Sequence, residues 1–93
     1  MLFMNTYTWE PGQRNELLKR RMEKGIALSK GVKLVGEWAD LSGSRGFLLV
    51  ESNDLKALMA SVMAWSHLMK MEIVPVIEAA ELWKGVEGKG SKK

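Results

Sequence analysis

The fold is decided by a central stretch, residues 32–63, which reads VKLVGEWADLSGSRGFLLVESNDLKALMASVM. Residues 32–40 and 45–51 are rich in β-forming residues and flank the short turn Ser42-Gly43-Ser44, so they predict an antiparallel hairpin. Ser52-Asn53-Asp54 then offers N-caps for a helix. In that helix the apolar residues recur at helical spacing, the strongest periodic signal in the chain: Leu55, Leu58, Met59, Val62 and Met63.

The segments on either side of this stretch complete the pattern. Residues 2–9 are dense in β-formers and predict a first strand, and residues 13–29 predict a polar helix closed by Lys30-Gly31. Residues 70–77 predict a fourth strand, in which Pro75 favours an edge position or a bulge. The order β-α-β-β-α-β predicts an α+β, ferredoxin-like fold with a four-stranded antiparallel sheet and both helices on one face.

Length and composition restrict the function. The chain has 93 residues, net charge +3 and no cysteine, so disulfides, thiolate metal sites and thiol nucleophiles are excluded. No apolar run approaches the ~20 residues of a membrane helix, and the first residues do not resemble a signal peptide, so we expect a cytoplasmic protein. We predict one domain over residues 1–84, with a last helical turn at 79–84, and a flexible basic tail over residues 85–93.

The side of the sheet that carries no helix is the predicted functional face. Side chains alternate along a strand, and the side that packs against the helices should be free of charge, since an unpaired buried charge is costly. This rule assigns to the open face Phe3, Asn5, Tyr7, Val35, Glu37, Phe47, Leu49, Glu51, Glu72 and Val74. So large an apolar patch on a small domain predicts a homodimer formed through this face.

Four pieces of sequence resemble the bacterial "domain of unknown function 3303" family, over about residues 1–80. They are Leu2-Phe3-Met4, Pro11-Gly12-x-Arg14, Val35-x-x-Trp38 and, most specifically, Glu72-Ile73-Val74-Pro75-Val76. The family resembles the dimeric α/β-barrel group, in which two ferredoxin-like sheets pack open face to open face around a cavity. The resemblance implies the fold and dimerisation; it implies no activity.

The candidate ligand-binding residues are those that would line such a cavity, together with the only histidine. They are Asn5, Tyr7, Glu37, Phe47, Glu51 and His67, the last expected at the end of the second helix. No cofactor and no metal site is predicted. Whether the domain is an enzyme, a binder of small molecules or a purely structural interaction module stays open at this point.

RNA binding is a third alternative, because Arg45-Gly46-Phe47 matches the start of the third-strand motif of the RNA-recognition fold. Three glutamates on the same face would repel phosphates, so no specific nucleic-acid partner is expected. The four tryptophans, Trp9, Trp38, Trp65 and Trp83, are expected to pack in the core or in the dimer interface.

Overall fold

The computed structural model describes residues 1–90, with side chains through residue 86. Its elements are β1 (Leu2–Thr8), a 3-10 turn (Pro11–Gln13), α1 (Arg14–Lys24), β2 (Val32–Ala39), β3 (Arg45–Ser52), α2 (Leu55–Met63), β4 (Lys70–Val76) and α3 (Ala79–Gly90). The strands form one antiparallel sheet in the order β2-β3-β1-β4. The predicted ferredoxin-like order is confirmed, and Pro75 lies on an edge strand as its missing N–H requires.

Helix α1 ends earlier than the sequence pattern predicts. Gly25 adopts φ +64°, a left-handed conformation, and its N–H donates to the carbonyl of Arg21 at 2.9 Å. Glycine takes this conformation without the steric cost that other residues bear, so the helix stops here and not at Lys30-Gly31. Ile26 and Leu28 then belong to the loop that leads into β2, and both pack against the core.

Helix α2 begins where the capping residues predict and ends early. The Asp54 carboxylate accepts hydrogen bonds from the backbone N–H groups of Lys56 (3.0 Å) and Ala57 (3.1 Å), which have no partner within the helix. The helix ends at Met63, and a turn follows in which the Leu68 N–H donates to the Trp65 carbonyl. His67, expected at the helix end, lies exposed in this turn.

The prediction for β1 is wrong: Phe3, Asn5 and Tyr7 face the helices. They lie directly opposite Val50, Leu48 and Gly46 of β3, and opposite residues of antiparallel strands share a face of the sheet. Val50 and Leu48 are buried in one cluster with Phe3 and with Leu58 of α2. Neither side of β1 carries a charged residue, so the expectation that the helix side is free of charge could not distinguish the two sides.

The prediction for Glu37 is also wrong, because the register of β2 changes at a bulge. Pairing with β3 is irregular between Leu34 and Gly36, and beyond it Glu37 lies opposite buried Leu48, on the helix side. Trp38 moves to the open face instead, opposite Phe47. The open face keeps the residues of β3 and β4 that were assigned to it, namely Phe47, Leu49, Glu51, Glu72 and Val74. It gains Leu2, Met4 and Thr6 of β1.

The core consists of two neighbouring clusters on the helix side. The first joins the middle of the sheet to Leu58, and the second joins Leu17 of α1 to Trp65 and Leu68. Trp65 is the one buried tryptophan, whereas Trp38 and Trp83 are exposed among the described side chains.

Helix α3 crosses the boundary predicted at residue 84. It continues to Gly90, and residues 91–93 of the predicted tail lie outside the described residues. Its apolar residues Leu82, Trp83 and Val86 are exposed. No helix within residues 1–90 is both long enough and apolar enough to cross a membrane.

Candidate functional site

A cavity of about 220 Å³ lies between the helix side of the sheet and the two helices that cover it. The sheet supplies its floor, α1 and α2 supply two walls, and the loop after α1 supplies a third. Most lining residues are apolar, among them Leu17, Ile26, Leu28, Val32, Ala39, Leu48, Val50, Leu58, Val62, Met69, Met71 and Ile73. Such a cavity accommodates apolar groups, and its few polar side chains determine how a ligand is oriented.

An ion pair connects α1 to the sheet at this cavity. The Arg21 guanidinium donates to both carboxylate oxygens of Glu37, with Nη2 to Oε1 at 2.8 Å. Both side chains remain partly exposed, which places the pair where the cavity meets solvent. The hydrogen bonds from Arg21 hold the pKa of Glu37 below its ordinary value, although partial burial opposes them. Glu37 is therefore a carboxylate at neutral pH, and it is already engaged.

Tyr7 lies flat across the sheet because Gly46 makes room for it. A Cβ atom on Gly46 would come within 2.3 Å of the Tyr7 ring carbon Cζ. Burial raises the pKa of the Tyr7 phenol, and the negative charge of Glu37 raises it further while Arg21 opposes the shift. The phenol therefore keeps its proton at neutral pH and can donate a hydrogen bond. Trp9 packs beside it, with ring centroids 5.9 Å apart.

Asn5 lies at the centre of the cavity floor. Its side chain is 5% exposed, and its neighbours across the sheet are Leu48 on one side and Ile73 on the other. Neither neighbour can form a hydrogen bond, and no described residue donates to the buried Asn5 Oδ1. Asn5 thus places an amide in the floor of a mostly apolar cavity, and the oxygen of that amide is buried without a hydrogen-bond partner.

The structure brings three of the six predicted site residues together. Asn5, Tyr7 and Glu37 all line the cavity, but they do so on the helix side of one chain and not between two sheets. Phe47 and Glu51 lie on the opposite face of the sheet. His67 is exposed in the turn after α2 and does not line the cavity.

Two important lining residues were not singled out from the sequence. Arg21 lies within the helix that the sequence predicts to be polar, and its spacing of four from buried Leu17 places both on one side of that helix. Trp65 closes the wall at the end of α2, and its indole Nε1 donates to the Ile26 carbonyl at 2.8 Å. The guanidinium of Arg20 lies over the Trp65 ring, 5.2 Å from its centroid.

Within the described part of the chain, no group of three or more histidine, cysteine, aspartate or glutamate side chains is placed to hold a metal ion. The chemistry that the cavity residues offer is hydrogen bonding by an amide and a phenol, next to an engaged ion pair.

Comparison with known proteins identifies the family. Residues 1–90 match the family described as Domain of unknown function (DUF3303). The chain belongs to the DUF3303 family. A search of curated proteins gave no match for this DUF3303 chain.

Two solved structures are similar to the DUF3303 chain. A Deinococcus radiodurans protein provisionally described as an antibiotic biosynthesis monooxygenase is 16% identical, with a TM-score of 0.50 over 85% of this chain and 95% of that one. An uncharacterized NIPSNAP domain protein from Burkholderia xenovorans is 18% identical, with a TM-score of 0.49 over 85% of this chain and 97% of that one. At 16% identity, the likeness to the first shows a common fold alone.

Proposed function

We propose that this DUF3303 domain binds a small, largely apolar molecule in the cavity between its sheet and its helices. The observation that carries the proposal is the cavity of about 220 Å³, whose walls are apolar and whose floor holds a buried amide without a partner. Side chains of a small domain normally fill such a space, because an empty cavity forfeits contacts. A space maintained by an aromatic ring, an ion pair and a helix wall favours a ligand over a defect of packing.

Blocking the cavity from α2 tests this proposal. Val62 lines the cavity, whereas its neighbour Met63 is 65% exposed on the outer side of the same helix. We expect one- and two-ring aromatic compounds to bind the unmodified protein in calorimetric titrations, and Val62→Trp to abolish the binding. The matched control, Met63→Trp, should keep it. If no compound of the panel binds the unmodified protein at millimolar concentration, the domain is better explained as a structural module.

We infer that the open face of the sheet forms a homodimer. Its centre is apolar, with Met4 opposite Leu49 on one side and opposite Val74 on the other. Its margin is charged, since Lys33 lies opposite Glu51 at one end. An apolar centre with a polar rim is the usual composition of a protein interface. A second copy of the chain fits this face because the two rims would each offer both signs of charge.

A charge placed at the centre of the face tests the dimer. We expect light scattering to give about twice the 10.5 kDa mass of the chain, and Leu49→Lys to reduce it to the monomer value. The control is Leu41→Lys in the β2–β3 turn, where the side chain is fully exposed and the same change should leave the mass unaltered. A monomeric unmodified protein, or equal masses for both variants, would contradict the proposal.

A further inference from the structure

Helix α3 lies outside the ferredoxin-like order, and none of its described side chains is buried by the rest of the chain. The six elements of that order end with β4, and α3 (Ala79–Gly90) is an addition to them. Every described side chain of the helix, residues 79–86, is exposed. The radius of gyration of the chain is 16.2 Å, whereas a compact domain of this length has a radius of about 12 Å. The helix therefore projects from the domain.

The sequence of α3 is nevertheless typical of a helix that packs through one side. Its apolar residues recur at i, i+3, i+4 and i+7 and form a single stripe, made of Ala79, Leu82, Trp83 and Val86. Trp83 is 60% exposed, and its neighbours in the stripe are similarly open to solvent. Glu81 and Lys84 lie on the other side of the helix. Because a helix of this length is marginal in water on its own, the stripe requires a surface that covers it.

The open face of the sheet leads directly into this stripe. Val74 and Val76 of β4 lie on that face, since they are opposite Met4 and Leu2 of β1. Ile77 follows them and is exposed at the start of the connection to α3. The apolar surface thus continues from the edge of the sheet to the helix. A helix in this place is positioned to contact whatever covers the open face, and the occupant proposed for that face is a second copy of the chain.

The size of the open face also favours a contribution from α3. Four strands of seven or eight residues, spaced about 4.8 Å apart and rising about 3.3 Å per residue, form a face of roughly 19 by 23 Å, or about 440 Å². A stable interface of standard size buries about 800 Å² on each partner. A helix of 12 residues is about 18 Å long, so its stripe adds apolar area next to the face.

We propose that α3 is an arm that packs through its apolar stripe on the second copy of the chain. The inference rests on the proposed homodimer and adds to it a contact surface outside the sheet. By two-fold symmetry each dimer contains two such contacts. Trp83 is the central residue of the contact, because tryptophan is enriched among the interface residues that contribute most to binding. Glu81 and Lys84 remain in solvent.

Glutamine substitutions on the two sides of α3 test the arm. Leu82→Gln combined with Trp83→Gln changes the stripe, and the matched control, Glu81→Gln combined with Lys84→Gln, changes the other side without altering the net charge. All four side chains are exposed, so we expect both variants to fold, as circular dichroism would verify. In sedimentation experiments over a dilution series, the Kd of the dimer should rise at least about tenfold in the first variant and stay within about twofold in the control.

Amide hydrogen exchange identifies what covers the helix. The backbone amides of a short isolated helix exchange rapidly, whereas those of a packed helix are protected. We expect the α3 amides to be protected in the unmodified dimer and to lose this protection in Leu49→Lys, which separates the two copies. Leu41→Lys, the control in the β2–β3 turn, should retain the protection.

The outcomes distinguish this inference from the homodimer itself. A dimer that Leu49→Lys dissociates, but whose Kd is unchanged by Leu82→Gln with Trp83→Gln, would refute the arm and leave the homodimer standing. Protection of α3 that persists in Leu49→Lys would show that the helix packs on its own chain. Absence of protection in the dimer would leave the stripe to a membrane or to a different protein. Either of these two results overturns the inference, and a monomeric unmodified protein would overturn both proposals.

Discussion

The contact between Tyr7 and Gly46 gives the sharpest test of the floor of the cavity. In the structure a Cβ atom added to Gly46 would meet the Tyr7 ring at 2.3 Å from Cζ and 2.5 Å from Cε2. Carbon atoms in ordinary contact are about 3.5–4.0 Å apart, so Gly46→Ala requires the ring to move by more than about 1 Å. The ring cannot stay in its place over the sheet once the methyl group is present.

Two opposing effects set the size of the change. Displacing a packed side chain costs about 1–3 kcal/mol of the free energy of unfolding. Replacing glycine by alanine within a strand returns about 0.5–1 kcal/mol, because the unfolded chain loses conformational freedom. The net expectation is a loss of about 1 kcal/mol, or a melting temperature lower by about 4–8 °C in a domain of this size. When Tyr7→Ala removes the ring first, only the gain remains and Gly46→Ala should stabilise the protein.

The assay is a double-mutant cycle of four proteins, each unfolded by urea and by heat. The decisive result is the reversal of sign: Gly46→Ala destabilises when Tyr7 is present and stabilises when it is absent. Gly12→Ala serves as the control, because nothing lies within 4 Å of its added methyl group, and its effect should be the same in both backgrounds. A cost of Gly46→Ala that is unchanged by removal of Tyr7 would refute the packing described for the cavity floor.

Three further predictions concern the ion pair, the helix cap and the core. Arg21 lowers the pKa of Glu37, so the ion pair stabilises the protein above the ordinary glutamate pKa of about 4.3, and this stabilisation is lost as the pH falls through the lowered pKa. Glu37→Gln should lower the free energy of unfolding by about 0.2–1 kcal/mol near neutrality and remove this acid dependence. Profiles of unfolding free energy against pH that run parallel for the two proteins would contradict it. Asp54→Ala should cost about 1 kcal/mol in urea unfolding, because two N–H groups of α2 lose their acceptor, and an unchanged midpoint would show that the cap contributes nothing. Leu48→Ala should cost about 2–5 kcal/mol, and a cost below about 1 kcal/mol would mean that its cluster is poorly packed.

The order of elements could be predicted from sequence because its determinants are local. The turn at Ser42-Gly43-Ser44, the cap at Asp54 and the apolar spacing of α2 each act within a few residues, and the structure contains all three effects. The early end of α1 was missed although its cause is also local. Gly25 was treated as one residue inside a helix-prone stretch, whereas its left-handed conformation ends the helix.

The faces of β1 and of the end of β2 could not be predicted, because they depend on pairing between distant strands. Both sides of β1 are uncharged, and only its register with β3 reveals that Asn5 lies opposite buried Leu48. Glu37 is an exception to the rule that charged residues avoid the helix side. The bulge before it reverses which face of β2 each side chain points to, and Arg21 of α1 neutralises its charge on the helix side. Neither the bulge nor a partner sixteen residues away leaves a pattern in the sequence near Glu37.

The two proposals for this domain place different functions on opposite faces of one sheet, and β3 takes part in both. Leu48 and Val50 line the cavity, while Phe47, Leu49 and Glu51 between and beside them face the other way. A ligand in the cavity and a second copy on the open face therefore do not compete for the same side chains. Binding of a ligand can affect dimerisation only through the backbone of β3 and β1, because successive side chains of a strand lie on opposite faces and are connected only by the backbone. The unsatisfied amide and the apolar open face are thus independent features, and failure of either proposal leaves the other intact.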